Sequence, residues 1–473
     1  MKKIFISMLL SFATTTAFAA DAVELTVYNQ DFALVKETFS KDLKSGVSKL
    51  QLDDVAAQLD PTSVSLQSLT APLEFKLLEQ NFEYDLVNYG RLLEKYIGKD
   101  VEIHQTSRDG DGKTFVQKGR LLSSGYQLQA SGGGFNSQNN YVSAGGSPMV
   151  EIDGKIHTGI NGHLVLPSLP KEFILKPTLS WLVNSKKEGK QNFQLSYLTS
   201  SIQWISDYVA TVDDKDQKIN LVGWVTIDNR SGAQYENAKL KLVAGDVNRV
   251  QNAQPMMVKS MRAEAMMMDA GMAPQFQEQS FFEYHLYTLQ RPATVKNNEM
   301  KQIEMMSAQD VPVRKIYKVE NGSKPQVKLE FDNKKINGMG MPLPKGRVRL
   351  YKKDSEGSLQ FIGEDQIQHT PKDEKLSLLL GNVFDLAVER EQVNYNQINP
   401  GKVWEETWQI KLRNRKEETI QVLVSESLYG GREWKIIKNS HPFQKKNAQQ
   451  IEAVIEVPKG QEVIFNYTVR YNS

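Results

Sequence analysis

The sequence predicts an all-β protein with serial antiparallel β-sandwich and small-barrel domains, one short hinge helix and a disordered Met-rich loop. Two observations support this fold class. Apolar and polar residues alternate with a period of two along several segments, as they do in antiparallel strands that bury one face. Turn-forming groups of Asp, Asn and Gly separate these segments at the short intervals that are typical of sandwiches and small barrels.

The strand pattern is clearest near the C-terminus, where four apolar residues alternate with polar ones: Phe465, Tyr467, Val469 and Tyr471. The same period recurs over residues 327–332 and 408–413. The turn signals are Asp109-Gly110-Asp111-Gly112, Asp153-Gly154, Asp213-Asp214-Lys215-Asp216, Asn321-Gly322 and Glu356-Gly357. Each signal predicts a tight connection between strands.

The first 20 residues have the composition of a signal peptide. Lys2 and Lys3 precede an apolar stretch, and Ala17-Phe18-Ala19 supplies the small-x-small pattern of a cleavage site. No Cys follows the cut to carry a lipid. We therefore expect residues 1–20 to be removed and the product to be periplasmic or extracellular.

The remaining chain is predicted to divide into an N-terminal β domain (21–84), a helix (85–98), a small β-barrel-like domain (99–168) and a large C-terminal β domain (169–473). The helix prediction rests on Asp85 as N-cap, on Gly98 as the C-terminal stop and on one apolar face. That face consists of Leu86, Tyr89, Leu93 and Tyr96. We expect the helix to hinge the β domains on either side of it.

Within the large C-terminal domain we expect two β subdomains, a Met-rich loop at 252–279 and a sandwich from about residue 400. The loop segment shows neither the strand nor the helix period. It contains seven of the chain's 15 Met: Met256, Met257, Met261, Met266, Met267, Met268 and Met272. Thioethers are soft ligands that could bind Cu(I) here. The alternative is a weakly apolar loop, since the segment lacks the His residues common in metal-handling tracts.

Composition excludes several classes of protein. The chain contains no Cys, so disulfides, zinc fingers, iron–sulfur clusters and thiol nucleophiles are excluded. Lys plus Arg number 58 against 56 for Asp plus Glu, and without Lys2 and Lys3 the two counts are equal. We expect no nucleic-acid partner, because such proteins carry a basic excess. Beyond the signal peptide no apolar run reaches the roughly 18 residues of a membrane-spanning helix. Composition does not decide the oligomeric state.

His369 is the most suggestive titratable residue, because Glu364 and Asp365 precede it and Asp373 and Glu374 follow it. Such a cluster could hold a metal ion or work as acid and base. The alternative is a strand followed by a polar turn with solvated charges. The sequence shows no HExxH pair, nucleophile elbow or phosphate loop. It therefore assigns no catalytic, cofactor-binding or metal-binding residue.

Nine segments together resemble a family of exported bacterial proteins. They are residues 27–35, 59–64, 92–99, 176–181, 195–199, 223–226, 242–248, 341–351 and 369–371. The resemblance covers nearly the whole mature chain and implies a β-rich fold with an N-terminal β domain. It also implies a larger C-terminal domain of unknown function, similar to the one shared with mucoidy inhibitor A proteins. The chain lacks the long coiled-coil insertion of those proteins and carries residues 100–165 instead, and the resemblance carries over no catalytic residue, cofactor or ligand.

The sequence favours a non-enzymatic envelope protein whose β domains bind a protein or a surface polysaccharide, with sheet edges and the Met-rich loop as contact surfaces. The alternative is a secreted hydrolase or metal-dependent enzyme with an acidic site near His369. A third hypothesis is Cu(I) binding by the Met-rich loop. A pocket that joins His369 to other titratable groups would favour the enzyme, whereas an exposed aromatic or apolar patch without such a pocket would favour binding.

Overall fold

The computed structural model describes residues 22–84, 86–106, 114–125, 147–158, 160, 162–170, 173–249, 275–429 and 431–472. The predicted signal peptide, the Asp109–Gly112 turn, Asp85 and residues 252–274 of the predicted Met-rich loop lie outside these residues. Over the described residues the protein is all-β, as the sequence predicts, and most strand pairs are antiparallel.

The strands alternate with few other elements along the described chain. The first fifteen are β1 (Ala22–Tyr28), β2 (Phe32–Leu43), β3 (Gly46–Asp53), β4 (Ser65–Ser68), β5 (Phe75–Glu83), β6 (Asp100–Thr106), β7 (Thr114–Ser123), β8 (Met149–Ile152), β9 (Lys155–His157), β10 (His163–Val165), β11 (Thr178–Ser185), β12 (Gly189–Ser200), β13 (Ile202–Val212), β14 (Lys218–Asn229) and β15 (Tyr235–Ala244). The helix α1 (Tyr89–Tyr96) lies between β5 and β6, and single 3₁₀ turns form at Pro61–Ser63 and Lys335–Asn337.

The second half of the chain contributes strands to all but two of the sheets. They are β16 (Phe276–Phe281), β17 (Tyr284–Leu289), β18 (Ala293–Val295), β19 (Glu299–Pro312), β20 (Arg314–Glu320), β21 (Gln326–Asp332), β22 (Gly346–Lys353), β23 (Leu359–Ile367), β24 (Lys375–Asn382), β25 (Leu386–Asn399), β26 (Val403–Asn414), β27 (Ile420–Ser427), β28 (Glu433–Asn439), β29 (Gln444–Asn447), β30 (Gln450–Val457) and β31 (Glu462–Asn472).

The largest core draws mainly on three sheets, and β21 and β24 of a fourth sheet also contribute to it. An eight-stranded sheet has the order β16-β17-β15-β1-β2-β12-β4, with β18 paired to β15; the others are β3-β11-β5 and β19-β14-β13-β22-β23. Their inner faces bury Trp181, Trp204, Tyr197 and Tyr208 almost completely. Burial of such large side chains supplies most of the driving force for packing these sheets together, since each removes a large apolar area from water.

The strands of residues 22–83 share their sheets with strands from later in the chain. Strand β1 pairs with β15, β2 pairs with β12, and β11 lies between β3 and β5. The chain therefore returns to the same sheets after residues 89–166. The division into domains at residues 84 and 169 stays a prediction about folding units, but the two flanking segments are joined by strand hydrogen bonds.

The small sheet formed between these segments has the order β10-β6-β7-β8-β9. With α1 it encloses a separate core that includes Leu93, Tyr96, Ile103 and Leu121. The prediction of a small barrel here is wrong for the described residues, because the sheet has two free edges. Both edge strands, β9 and β10, are three residues long, which is too short to pair across and close the sheet.

The helix forms where the sequence predicts one, but it begins later. Asn88 is its N-cap and accepts a hydrogen bond from the Arg91 N–H at 3.0 Å. The residues before it are extended, since Leu86 bridges Ile174, and this pairing delays the first turn. Gly98 follows the helix with a φ of 82°, as expected of a C-terminal stop. No helix in the described part of the chain is long and apolar enough to cross a membrane.

A second core fills a sandwich of two sheets, β24-β21-β20-β27-β30-β29 and β25-β26-β31-β28. The sandwich begins with β20 at Arg314, well before the boundary predicted near residue 400. The alternating pattern of β31 is confirmed, because its four apolar residues are all buried: Phe465, Tyr467, Val469 and Tyr471. Strand β21 serves both cores, since Val327 packs on the second core and Leu329 lies in the first.

The predicted Met-rich loop extends too far at its C-terminal end. Residues 276–279 belong to β16, an edge strand anchored by Phe276, which is 5% exposed. An edge strand needs few buried positions, and the residues that follow Phe276 are mostly polar. The sequence of this strand therefore lacks the alternation by which strands are recognised.

The turn between β16 and β17 contains a strained residue, and we expect Phe282→Gly to raise the free energy of unfolding by about 1 kcal/mol. Phe282 has a φ of 56° at the first position of a two-residue hairpin, where Gly is favoured, and its side chain is 82% exposed. Urea unfolding measures the change. Asn298→Gly is the control, because Asn tolerates its φ of 55° and should gain less. A loss of stability in Phe282→Gly would contradict the argument.

Candidate functional site

A cleft of about 410 Å³ opens at one end of the sheet that contains β13, β22 and β23, and His369 lies on its rim. Strands β13 and β22 run parallel, which places Ser206 beside Gly346 and Asp207 beside Arg347. Only glycine permits this approach, because a Cβ on Gly346 would lie 2.2 Å from the carbonyl oxygen of Ser206. Strand β23 then brings its last residues alongside β22.

His369 is held in place by a backbone hydrogen bond. Its Nδ1 accepts the backbone N–H of Lys345 at 3.2 Å, which leaves the proton of the neutral ring on Nε2. Partial burial and the nearby Lys345 ammonium both lower the pKa of His369, and the carboxylate of Asp246 offsets part of this effect. The ring is therefore neutral at pH 7.

Two arginines pair with acidic side chains of the cleft. Arg349, beneath the cleft, lies 3.6 Å from a carboxylate oxygen of Asp207 and 3.6 Å from one of Glu364. Arg347 approaches the same Glu364 oxygen at 3.9 Å. The three acidic residues of the lining, Asp207, Glu364 and Asp365, are matched in number by Lys345, Arg347 and the adjoining Arg349, and Lys345 itself lies 3.8 Å from Asp246. The charge balance favours an uncharged polar ligand.

The cleft brings together only part of the acidic cluster that the sequence indicates. Glu364 and Asp365 line it with His369, and Asp365 also accepts the Leu379 N–H at 2.7 Å. The backbones of Asp373 and Glu374 instead pair with that of Asn333, outside the cleft lining. Asp207, Arg347 and Asn29 were not predicted, because no local motif marks residues that come together from distant strands.

The geometry does not resemble a nucleophile paired with a base. The Ser206 hydroxyl is buried and donates to the carbonyl oxygen of Lys345 at 2.8 Å, while the His369 Nδ1 is occupied by a backbone N–H. Among the described residues, no three His, Asp or Glu side chains are grouped to hold a metal ion. These contacts suit a site that binds through hydrogen bonds.

Asn29 supplies a buried acceptor at the edge of the cleft. It follows β1, lines the cleft, and its side-chain oxygen is buried without a partner among the described residues. A buried acceptor that lacks a donor costs about 1–3 kcal/mol. A ligand hydroxyl or amide N–H that reached this oxygen would recover that cost.

The model of one protein family, the domain of unknown function DUF4139, matches residues 193–472, which is more than half of the chain. The match runs from β12 to the end of β31 and includes the cleft residues from Ser206 to His369, but not Asn29. No curated protein sequence matches the chain.

Proposed function

The chain belongs to the family defined by the DUF4139 domain of unknown function, and we propose that it is an exported envelope protein that binds a surface polysaccharide in the cleft beside His369. Export and a C-terminal domain like that of mucoidy inhibitor A proteins are part of the proposal, and both rest on the sequence. The single observation that carries the choice of ligand is the charge-balanced, hydrogen-bonding lining of the cleft.

The charge balance argues against ligands of high charge. A phosphate or a polyanion would meet Glu364 and Asp207, and a polycation would meet Arg347 and Lys345. Neither would gain from a site whose opposite charges already neutralise each other. A neutral saccharide pays no such penalty, because each of its hydroxyls can both donate and accept hydrogen bonds.

The donors and acceptors of the lining match a row of hydroxyls. His369 offers an N–H, and Arg347 offers a planar guanidinium. Glu364 offers carboxylate oxygens to the same space, and Asn29 lines it with an amide whose buried, unpaired oxygen would have to turn toward the ligand. The cleft volume of about 410 Å³ lies within the usual range of about 300–1,000 Å³ for small-molecule sites. This size fits one or two sugar units of a longer chain.

The cleft joins His369 to Asp207, Glu364 and Asp365, which is the arrangement expected of the enzyme alternative. We nevertheless place binding before hydrolysis, because these candidate acid–base groups are already held by other side chains or by the backbone. Glu364 and Asp207 are ion-paired with arginine side chains, and Asp365 accepts a backbone N–H, so each carboxylate of the lining already has a partner. Glycosidase chemistry requires two carboxyl groups, one of them protonated. The pocket around His369 therefore supports recognition without supporting bond cleavage.

A protein is the second candidate ligand for this cleft. A peptide would bring its own backbone N–H and C=O groups into the cleft and would also need an apolar anchor. The lining offers Ile205, which is 52% exposed, while the nearby Trp204 is 1% exposed and gives little stacking surface. Because the lining lacks an exposed aromatic anchor for a peptide, its hydrogen-bonding groups favour the saccharide.

We expect Asn29→Ala and His369→Ala each to weaken binding of an oligosaccharide about tenfold, the loss expected for one buried hydrogen bond. A glycan array finds the oligosaccharide and calorimetry measures its dissociation constant. Asn29→Ala should leave the free energy of unfolding unchanged or slightly higher, because it removes an unpaired buried oxygen.

The control is His441→Ala, because His441 is a half-buried histidine outside the cleft whose side chain contacts Ser440 and the ring of Phe465. It should bind as the parent protein does. Absence of any glycan ligand, or equal loss in His441→Ala, would refute the proposal. Release of shorter oligosaccharides during the titration, abolished by Glu364→Gln, would replace it with the hydrolase.

A further inference from the structure

A second cavity, of about 420 Å³, is lined by methionines and lies apart from the cleft. Four of its lining residues are Met305, Met306, Met339 and Met341. The described part of the chain contains two other methionines, Met149 and Met300, and neither lines this cavity. Four of six described methionines therefore meet at one place.

A β-bulge places two of these methionines together. The pairing of β19 with β14 shifts register between Gly223 and Trp224, which oppose Met306 and Glu304. Met305 is the extra residue, so Met305 and Met306 are both buried although consecutive residues of a regular strand point to opposite faces. Bulges of this kind redirect a side chain, and they are enriched beside functional sites.

The other two methionines lie on a loop that is held in a single position. Asn333, which is fully buried, donates to the carbonyl oxygen of Met341 at 2.8 Å and accepts the N–H of Gly340 at 3.0 Å. Gly340 has a φ of 91°, and a Cβ there would lie 2.6 Å from the backbone nitrogen of Lys335. The loop around Met339 is therefore fixed against the 3₁₀ turn that contains Lys335.

We propose that this cavity is a binding site for a soft monovalent cation, Cu(I) or its redox-inert mimic Ag(I), with thioether sulfurs as ligands. Thioethers select such ions over hard cations, and the chain has no thiolate to compete for them. Met305, Met306 and Met339 are 1%, 7% and 8% exposed, so an ion bound among them would be shielded from water. Glu304 and Lys335 both line the cavity with opposite charges, so the selection of a soft cation rests on the thioethers rather than on a net negative charge.

The same methionines could instead be adaptable filling of the first core, since Met packs irregular gaps well. Substitution of these methionines by leucine affects the two roles differently. A Met→Leu change keeps the apolar volume and is tolerated in cores, but it removes the sulfur. Leucine substitution therefore separates a packing role from a ligand role.

The test titrates the full mature chain with Ag(I) and follows both calorimetric binding and the thermal unfolding temperature. Three variants are compared: Met339→Leu with Met341→Leu, the matched control Met149→Leu with Met300→Leu, and a variant in which the seven methionines at 256–272 are leucine. Binding of Ag(I) to the folded cavity should raise the unfolding temperature of the parent protein. Circular dichroism without the ion reports whether each variant folds.

We expect the Met339/Met341 variant to bind the tightest Ag(I) equivalent at least about tenfold more weakly and to lose the temperature shift, since even outer contacts of a metal site are worth that much. The matched control and the seven-methionine variant should keep both. Retention of the shift in the Met339/Met341 variant, or equal loss in the matched control, overturns the proposal. If Met339/Met341 does not fold, the Met305→Leu variant is read by the same two criteria.

Discussion

Arg390→Met should lower the free energy of unfolding by about 3–5 kcal/mol, because it leaves a buried carboxylate without its cation. Glu426 is fully buried in the second core; the Nε of Arg390 donates to one of its oxygens at 2.8 Å, and an Nη of Arg390 lies 2.8 Å from the same oxygen. The Tyr467 hydroxyl donates to the same oxygen at 2.8 Å. The other oxygen of Glu426 has no partner among the described residues, so the arginine provides most of the compensation.

Arg390 also packs on an aromatic ring, which adds to the expected loss. Its guanidinium lies 3.5 Å from the centroid of the Trp408 ring, a cation–π contact. Glu406 in turn accepts the indole N–H groups of Trp404 and Trp408 at 3.0 and 3.1 Å, which fixes both rings. Arg390 thus connects the buried Glu426 to the indole ring of Trp408 on β26.

Urea unfolding of the full chain measures this effect. The double variant Arg390→Met with Glu426→Gln should recover most of the lost stability, because a neutral amide is far less costly to bury than an unpaired carboxylate. The pair of Arg314 and Glu330 is the control: Arg314 is 68% exposed and Glu330 keeps Lys375 at 3.5 Å, so Arg314→Ala should cost at most about 1 kcal/mol. A loss below about 1 kcal/mol in Arg390→Met would contradict the assignment of a buried, arginine-dependent charge.

The sequence predicted those features that depend on local periodicity. The alternation over Phe465 to Tyr471 predicted a half-buried strand, and each of its apolar residues is indeed in the core. Gly98 ended the predicted helix because a positive φ is required there. Residues two apart in a strand, or four apart in a helix, lie on the same face. An element with one buried face can therefore be predicted from the local sequence.

The candidate cleft could be predicted only in part, because it is assembled from residues far apart in the chain. His369 and Glu364 were found through their proximity in sequence. Asn29 and Asp207 join them through the pairing of β1 with β15 and the parallel pairing of β13 with β22, and no short pattern encodes such long-range pairings. The same holds for Met305, since a bulge violates the period by which strands are recognised.

The sequence also misleads about the environment of single charged side chains. Arg390 occupies an alternating polar position in the sequence, which is typical of a solvated strand face, yet it serves a buried carboxylate. Its counterpart Glu426 lies on β27, and its burial becomes visible only once the two sheets of the sandwich are packed. Charge in the sequence indicates a surface by default, and tertiary pairing overrides this default.

Glu37→Gln should remove a pH dependence of stability between about pH 4.5 and pH 7 and should stabilise the protein at pH 8. Burial raises the pKa of the Glu37 carboxyl from 4.5 to about 7; the Tyr197 hydroxyl, which donates at 3.2 Å, offsets part of this rise. The folded protein therefore holds a proton at Glu37 that the unfolded chain releases at lower pH. The stabilising contribution is full below pH 4.5 and is lost as the pH rises through 7.

The expected loss is on the order of 2 kcal/mol between pH 4 and pH 8, less than the full pKa difference would give because the side chain is partly solvated. Urea midpoints of the parent and of Glu37→Gln across this range measure it, and the two curves should diverge as the pH rises. Glu24→Gln is the contrasting variant. Burial works against ionisation of Glu24, but the hydrogen bond and charge of Lys241 together lower its pKa, so the stability it contributes is present above the ordinary pKa of a carboxyl and is lost in acid. Parallel curves for the parent and Glu37→Gln would mean that Glu37 stays ionised in the folded protein, and the charge of β2 would then have to be compensated by its neighbours.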